Sequence, residues 1–158
     1  MKKIVAAERK KGKCIVLANG CFDLIHVGHI RYLKGAKNKG DILVLALNSD
    51  ASIRQLKGKG RPFLDEKNRV QIMSSISYVD YITVFKEENV EKVLLALKPD
   101  IHAKGSDYTA ETVPEKETVR SYGGAIAITG GPKVRSTSQL IDHIVLIVKD
   151  LKPTQSEK

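Results

Sequence analysis

Apolar and polar residues alternate in blocks along this chain, and the blocks predict its elements. Cys14–Ala18 is apolar throughout, the pattern of a strand buried on both faces. A helical stretch follows from Gly28 to about Lys39, and Asp41–Leu47, preceded by Gly40, is a second unbroken apolar strand. That strand–helix–strand spacing fits a right-handed crossover between parallel strands. Asp65 is placed to cap a helix carrying Val70, Ile72, Met73 and Ile76, and Val79–Phe85 reads as a third strand. Asn89 can cap a helix through Leu97, closed by Lys98-Pro99, and Ile101–Ala103 makes a short fourth strand. A helix near Pro114 stops at Gly123-Gly124, Ala125–Thr129 is the fifth strand, and a periodic helix runs from Leu140 to Val148. The prediction is a single α/β domain with a doubly wound, mostly parallel five-stranded sheet. Residues 1–12 read as a charged lead-in, 13–148 as the domain and 149–158 as a polar tail.

Composition narrows the partners. With 42% hydrophobic and 28% charged residues the chain has the make-up of an ordinary globular domain. It shows no apolar run long enough for a bilayer and no charged-then-apolar leader, so the expectation is a cytoplasmic protein without membrane contact. Cys14 and Cys21 stand without a framework of further cysteines, which predicts free thiols in a reducing compartment. The formal charge is +9, from 27 Lys and Arg against 18 Asp and Glu. These basic residues are scattered and aromatics reach only 5%, so a stacking platform for nucleic acid is not expected. A small polyanion suits the balance better.

The chemistry concentrates at strand ends. Asn19-Gly20-Cys21-Phe22-Asp23 leads from the first strand into His26-Val27-Gly28-His29 at a helix start. Unpaired N–H groups and the helix dipole suit phosphate there, and three-residue spacing stacks the two imidazoles on one face. Gly28, lacking a side chain, would let a ligand approach the backbone. Two surface histidines beside a helix start would account for H-x-G-H equally well. Asn48-Ser49-Asp50 ends the second strand at the same sheet edge. Lys57-Gly58-Lys59-Gly60-Arg61-Pro62 reads as a solvated linker or as a mobile clamp over phosphates. Arg69 reads as surface decoration or as a phosphate contact. Ser136-Thr137-Ser138 can cap the last helix, hold phosphate on it, or both. The chain lacks G-x-G-x-x-G and G-x-x-x-x-G-K-[ST], and it has neither C-x-x-C nor H-E-x-x-H, so no protein-ligated metal is expected.

Together these motifs resemble the cytidylyltransferase-like nucleotidyltransferases, which have a Rossmann-like fold with H-x-G-H after the first strand and a hydroxyl motif before the last helix. Asn19–Asp23, Asn48–Asp50, Leu56-Lys57-Gly58, Arg61-Pro62 and Lys104-Gly105-x-Asp107-Tyr108 look most like one branch, D-glycero-β-D-manno-heptose 1-phosphate adenylyltransferase. That branch occurs alone or as the second domain of a bifunctional heptose kinase/adenylyltransferase; no kinase portion lies in these residues, so the stand-alone form is expected. The likeness spans about Lys13 to Val148. It departs at Lys86-Glu87-Glu88-Asn89-Val90 and at Pro132-Lys133-Val134-Arg135, which bear on substrate identity more than on reaction type.

The resemblance implies transfer of AMP from ATP, carried with Mg²⁺, to a sugar 1-phosphate. It assigns catalysis to His26, His29 and Lys57. Nucleotide binding falls to Gly20, Cys21, Phe22, Gly28, Lys104, Gly105, Asp107, Ser136, Thr137 and Ser138, besides the two histidines. Acceptor binding falls to Asn19, Asp23, Asn48, Asp50, Lys59, Arg61 and Arg69. It also implies a homodimer. Two rivals stand beside it: the same reaction with CTP and glycerol 3-phosphate or with ATP and flavin mononucleotide, and a non-catalytic nucleotide- or nucleic-acid-binding module.

Overall fold

A computed structural model describes residues 1–132 and 137–151, with the side chains of Ser138 and Asp150 left aside. Five strands, β1 (Ile15–Gly20), β2 (Ile42–Asn48), β3 (Tyr81–Phe85), β4 (Ile101–Gly105) and β5 (Ala125–Thr129), form one sheet in the order β3-β2-β1-β4-β5. Every pairing is parallel, as the unbroken apolar runs predict.

Period-two alternation divides those runs between two cores. On one face Val16, Ala18, Leu43, Leu45 and Leu47 pack with Leu33 and Ala36 of α2 (Val27–Lys37) and Met73 of α4 (Glu66–Ser74). On the other, Ile15, Leu17, Val44 and Ala46 pack with Leu94 and Leu97 of α5 (Glu91–Leu97) and Val119 of α6 (Lys116–Ser121). The second core also holds Val5 of α1 (Lys2–Lys10), whose Arg9 Nη2 donates to the Lys98 carbonyl at 2.7 Å. Residues 2–10 are therefore part of the helical layer, and the lead-in boundary at residue 12 does not separate them from the domain.

Three aspartates bind the lower sheet edge. Asp41 accepts from Cys14 N–H at 2.8 Å, Asp100 from Ile15 N–H at 2.7 Å and Asp80 from Leu43 N–H at 2.7 Å. They satisfy strand-start donors that no neighbour reaches.

Two boundaries differ from the sequence expectation in a way that matters for the site. First, β1 and β4 extend two residues beyond their apolar runs, with Asn19 paired to Ala46 and Lys104 to Ile128. Parallel ladders form through backbone, so a polar side chain at the open end does not stop them. Second, Asp50–Lys57 is a helix, α3, that the glycine-spaced basic loop after it obscures. Its local signal is present: Ser49 Oγ caps Ser52 N–H at 3.2 Å, Asp50 sits in the first turn, and Ile53 is buried. Asp65 caps α4 as predicted, accepting from Asn68 N–H at 2.8 Å. The last helix, α7 (Thr137–Leu151), starts three residues earlier and ends three later than its apolar periodicity suggests, so part of the expected polar tail is helical.

Candidate active site

Strand order reverses between β1 and β4: the chain moves from β1 outward to β2 and β3, then returns to the other side of β1. Loops leaving the two central strands diverge there, and a cavity of about 410 Å³ opens at their carboxyl ends. Asn19 and Gly20 from β1, and Lys104 and Gly105 from β4, line it while still held in the ladder.

Both histidines line this cavity, and each holds the other. His26 is the N-cap of α2; its Nδ1 accepts from Gly28 N–H at 3.1 Å, while His29 Nδ1 accepts from His26 N–H at 3.4 Å. A neutral imidazole whose Nδ1 accepts must carry its proton on Nε2. Both rings therefore keep an Nε2–H as their remaining donor. The ring centroids lie 3.9 Å apart. Burial, and secondarily the neighbouring His26, push the His29 imidazole down to about 4, and burial lowers His26 too. At neutral pH the pair offers uncharged donors rather than cations.

Gly28 lines the cavity and also makes room for this pair. A Cβ there would come within 2.9 Å of His26 Nδ1, and its N–H is already taken by that ring. Phe22 supports His29 from below with centroids 5.0 Å apart, and it does so from a backbone φ of 47°, a region that non-glycine residues rarely occupy.

The cationic side is built differently. Lys57 at the end of α3 and Arg61 line the cavity; Lys59 does not. Asp23, expected to meet the acceptor, lines the cavity but has its carboxylate committed within the protein. Oδ1 accepts from the Phe63 and Leu64 N–H groups at 2.8 and 2.9 Å, and Oδ2 faces Arg61 Nε at 3.3 Å. Asp23 is thus the anchor of the 61–64 loop.

Arg69, Asp50 and Asn48 also depart from the acceptor-binding expectation. Arg69 is fully buried, and its guanidinium donates to the carbonyls of Leu64, Cys21 and Asn48 at 3.1, 2.8 and 2.8 Å and to Asp50 Oδ1 at 2.8 Å. Such a group has no fork left for phosphate. Asn48 is buried and donates to Ser52 Oγ at 2.9 Å. These three tie the strand ends to α4.

Of the remaining nucleotide-side residues, Cys21, Phe22, Asp107 and Thr137 line the cavity, and Thr137 Oγ1 donates to the Leu24 carbonyl at 3.3 Å. Cys21 and Cys14 are free thiols, and burial above all raises that of Cys21. Ser136, the Ser138 side chain and the 133–135 part of the second departure lie outside the described residues. Tyr32, Ser106, Tyr108, Thr129, Gly130 and Pro132 also line the wall, and none of them is among the site residues expected from the sequence. Tyr32 had no motif to mark it: its hydroxyl donates to the Ala103 carbonyl at 2.8 Å, 71 residues away. Among the described residues no group of three or more His, Cys, Asp or Glu is placed to hold a metal ion, and no helix is long and apolar enough to cross a membrane.

The cytidylyltransferase-like family profile matches residues 17–152. The chain belongs to that family. Among its relatives, the "Bifunctional protein HldE" of Syntrophotalea carbinolica is 47% identical over 145 residues, and that of Geobacter metallireducens 48% over 142. These matches cover 92% and 90% of this chain but 30% and 29% of the relatives, so the chain spans less than a third of their length. A solved structure, described as the lipopolysaccharide core biosynthesis protein from Thermoplasma volcanium, is 34% identical with a TM-score of 0.61, covering 74% of this chain and 94% of that one.

Proposed function

We propose that this protein is an adenylyltransferase that moves AMP from ATP to D-glycero-β-D-manno-heptose 1-phosphate, releasing pyrophosphate and ADP-heptose. The observation that carries the reading is the reciprocal His26–His29 cap, which leaves two Nε2–H donors in a cavity that also receives Lys57, Arg61 and Lys104. Relatives named bifunctional, matched over under a third of their length, support it, as one module of a two-activity protein would match. The lipopolysaccharide core biosynthesis neighbour supports a sugar acceptor.

In this reading an acceptor phosphate oxygen attacks the α-phosphorus of ATP. The bond from that phosphorus to the bridging oxygen breaks, and its electrons leave with pyrophosphate. A phosphate monoester with second pKa about 6 is already largely dianionic at neutral pH, so no strong general base is required. Alignment of two anions and stabilisation of developing charge are required. The neutral histidines donate to the triphosphate without releasing protons. Lys57 and Arg61 close on the phosphates, Lys104 and the Gly105 backbone meet the nucleotide, and Thr137 lies toward the leaving end. Mg²⁺ would accompany the triphosphate and shield its charge; the carboxylates that line the cavity are Asp107 and Asp23, the latter engaged by the 61–64 loop. A cytoplasmic homodimer belongs to the same reading through the family resemblance.

The test is pyrophosphate release from ATP and from CTP, each with heptose 1-phosphate and with glycerol 3-phosphate. Release confined to ATP with heptose 1-phosphate is expected. Release with CTP and glycerol 3-phosphate would overturn the substrate assignment and keep the reaction type, and silence with all four pairs would overturn the acceptor.

A further inference from the structure

Beside the cavity lies a polar cluster that the reaction above does not use in full. His102 and Lys104 are two residues apart on β4 and so share a sheet face. Glu115, just before α6, meets both. Its Oε1 and Oε2 lie 3.4 and 3.3 Å from Lys104 Nζ, and Oε2 lies 3.7 Å from His102 Nε2. His102 is anchored on its other side, with Nδ1 3.3 Å from the Leu17 carbonyl. All three side chains are at least nine-tenths buried, at 0%, 7% and 5% exposure for His102, Lys104 and Glu115.

A buried carboxylate next to a site for polyanions opposes binding unless it organises something else. Here it organises an ammonium. Lys104 Nζ is gripped by both Glu115 oxygens, reaches Asn19 Oδ1 at 3.5 Å and sits 4.8 Å from the Tyr108 ring centre. Asn19, Lys104 and Tyr108 all line the cavity. An ammonium has three N–H donors; the hydrogen bonds to Glu115 Oε1 and Asn19 Oδ1 account for two, with Glu115 Oε2 a charge contact, and one donor is left for a ligand. Burial alone would raise the Glu115 carboxyl, but the His102 ring and the Lys104 charge outweigh it and hold it down at about 2. The carboxylate therefore stays charged throughout the working range.

We propose that Glu115 is a positioning residue that holds the Lys104 ammonium at the cavity wall, aimed at the bound nucleotide. The inference rests on the nucleotide reading of the cavity. Without the fork, the four-carbon lysine stem regains its rotamers and the ammonium is no longer presented in one place.

The test is a double-mutant cycle of Glu115→Gln, Lys104→Met and the combined variant, read both as ATP affinity by calorimetry and as kcat and KM for pyrophosphate release. Glu115→Gln should weaken ATP binding about tenfold and Lys104→Met at least as much, the range expected for a charged hydrogen-bonding partner. Because Glu115 acts through Lys104, the combined variant should match Lys104→Met within about twofold. Multiplicative losses, or unchanged or tighter ATP binding in Glu115→Gln, would overturn the proposal. A simple loss of negative charge would tighten ATP binding, so the sign itself discriminates. If Glu115→Gln does not fold, Glu115→Asp retains charge but withdraws it by one methylene; weaker ATP binding is again expected and unchanged binding overturns. A wild type that binds ATP but releases no pyrophosphate would sink the proposed reaction, while the affinity cycle still decides the role of Glu115. A wild type that does not bind ATP sinks both.

Discussion

The two walls of the cavity are built on opposite plans. The β1–α2 turn, residues 19–29, is internally satisfied: two histidines cap each other, Gly28 makes room for a ring, and Phe22 and Tyr32 pack beneath. The basic segment from Lys57 to Leu64 is exposed at Lys57, Lys59 and Phe63, and turns at Gly58 and Gly60 with φ of 84° and 83°. Its order is borrowed, since Asp23 and Arg69 hold only its far end. In the proposed reaction the donors needed from the start are prebuilt, and the cations that follow the substrate are left adjustable at one end.

Cutting the tie between the walls is expected to do most. Arg69→Leu removes the one group that binds the Cys21 carbonyl, the Leu64 carbonyl and Asp50 together. Leaving those acceptors and Asp50 without a partner should cost roughly 3–5 kcal/mol, measured by denaturant unfolding. A loss under 1 kcal/mol would show that the walls do not depend on each other.

His29→Ala strikes the prebuilt wall alone. A folded variant with turnover reduced by at least about a hundredfold is expected, as for a lost transition-state donor. Near-normal turnover would sink the role given to the histidines.

Acidity should also reach the rigid wall first. The folded His29 value is about 4 against an ordinary 6.5, so between those values the unfolded chain binds more protons than the folded one. Stability from this group is complete above pH 6.5 and falls as pH drops toward 4, by roughly 2 kcal/mol after allowing for partial exposure. Glu115, held near 2 from 4.5, adds its own loss only as pH falls below 4.5. Thermal melts at pH 7.5, 5.5, 4.5 and 3 check the order, and His29→Gln should flatten the first limb; an unchanged limb would assign it elsewhere.

The adjustable segment should be the most tolerant. Gly60→Ala meets no atom within 4 Å but must accept a positive φ, a strain of about 1 kcal/mol. A few-fold rise in KM for ATP with little change in melting temperature is expected. A change in melting temperature as large as that of Arg69→Leu would mean the segment is structural rather than adjustable.

Local signals in the sequence determined a good deal. Apolar runs and glycine or hydroxyl boundaries set five parallel strands, and H-x-G-H at a strand end located the cavity with both histidines in it. Those features depend on neighbours within a turn or a strand, where spacing along the chain and spacing in space agree. What only the tertiary structure decided was the use of each polar group. Asp23 meets partners 40 and 41 residues away, Arg69 one 48 residues away, and Tyr32 one 71 residues away. Whether an arginine faces phosphate or four internal acceptors, and whether a glycine makes room for a histidine ring, is set by burial and by long-range pairing, and neither is written in the local pattern.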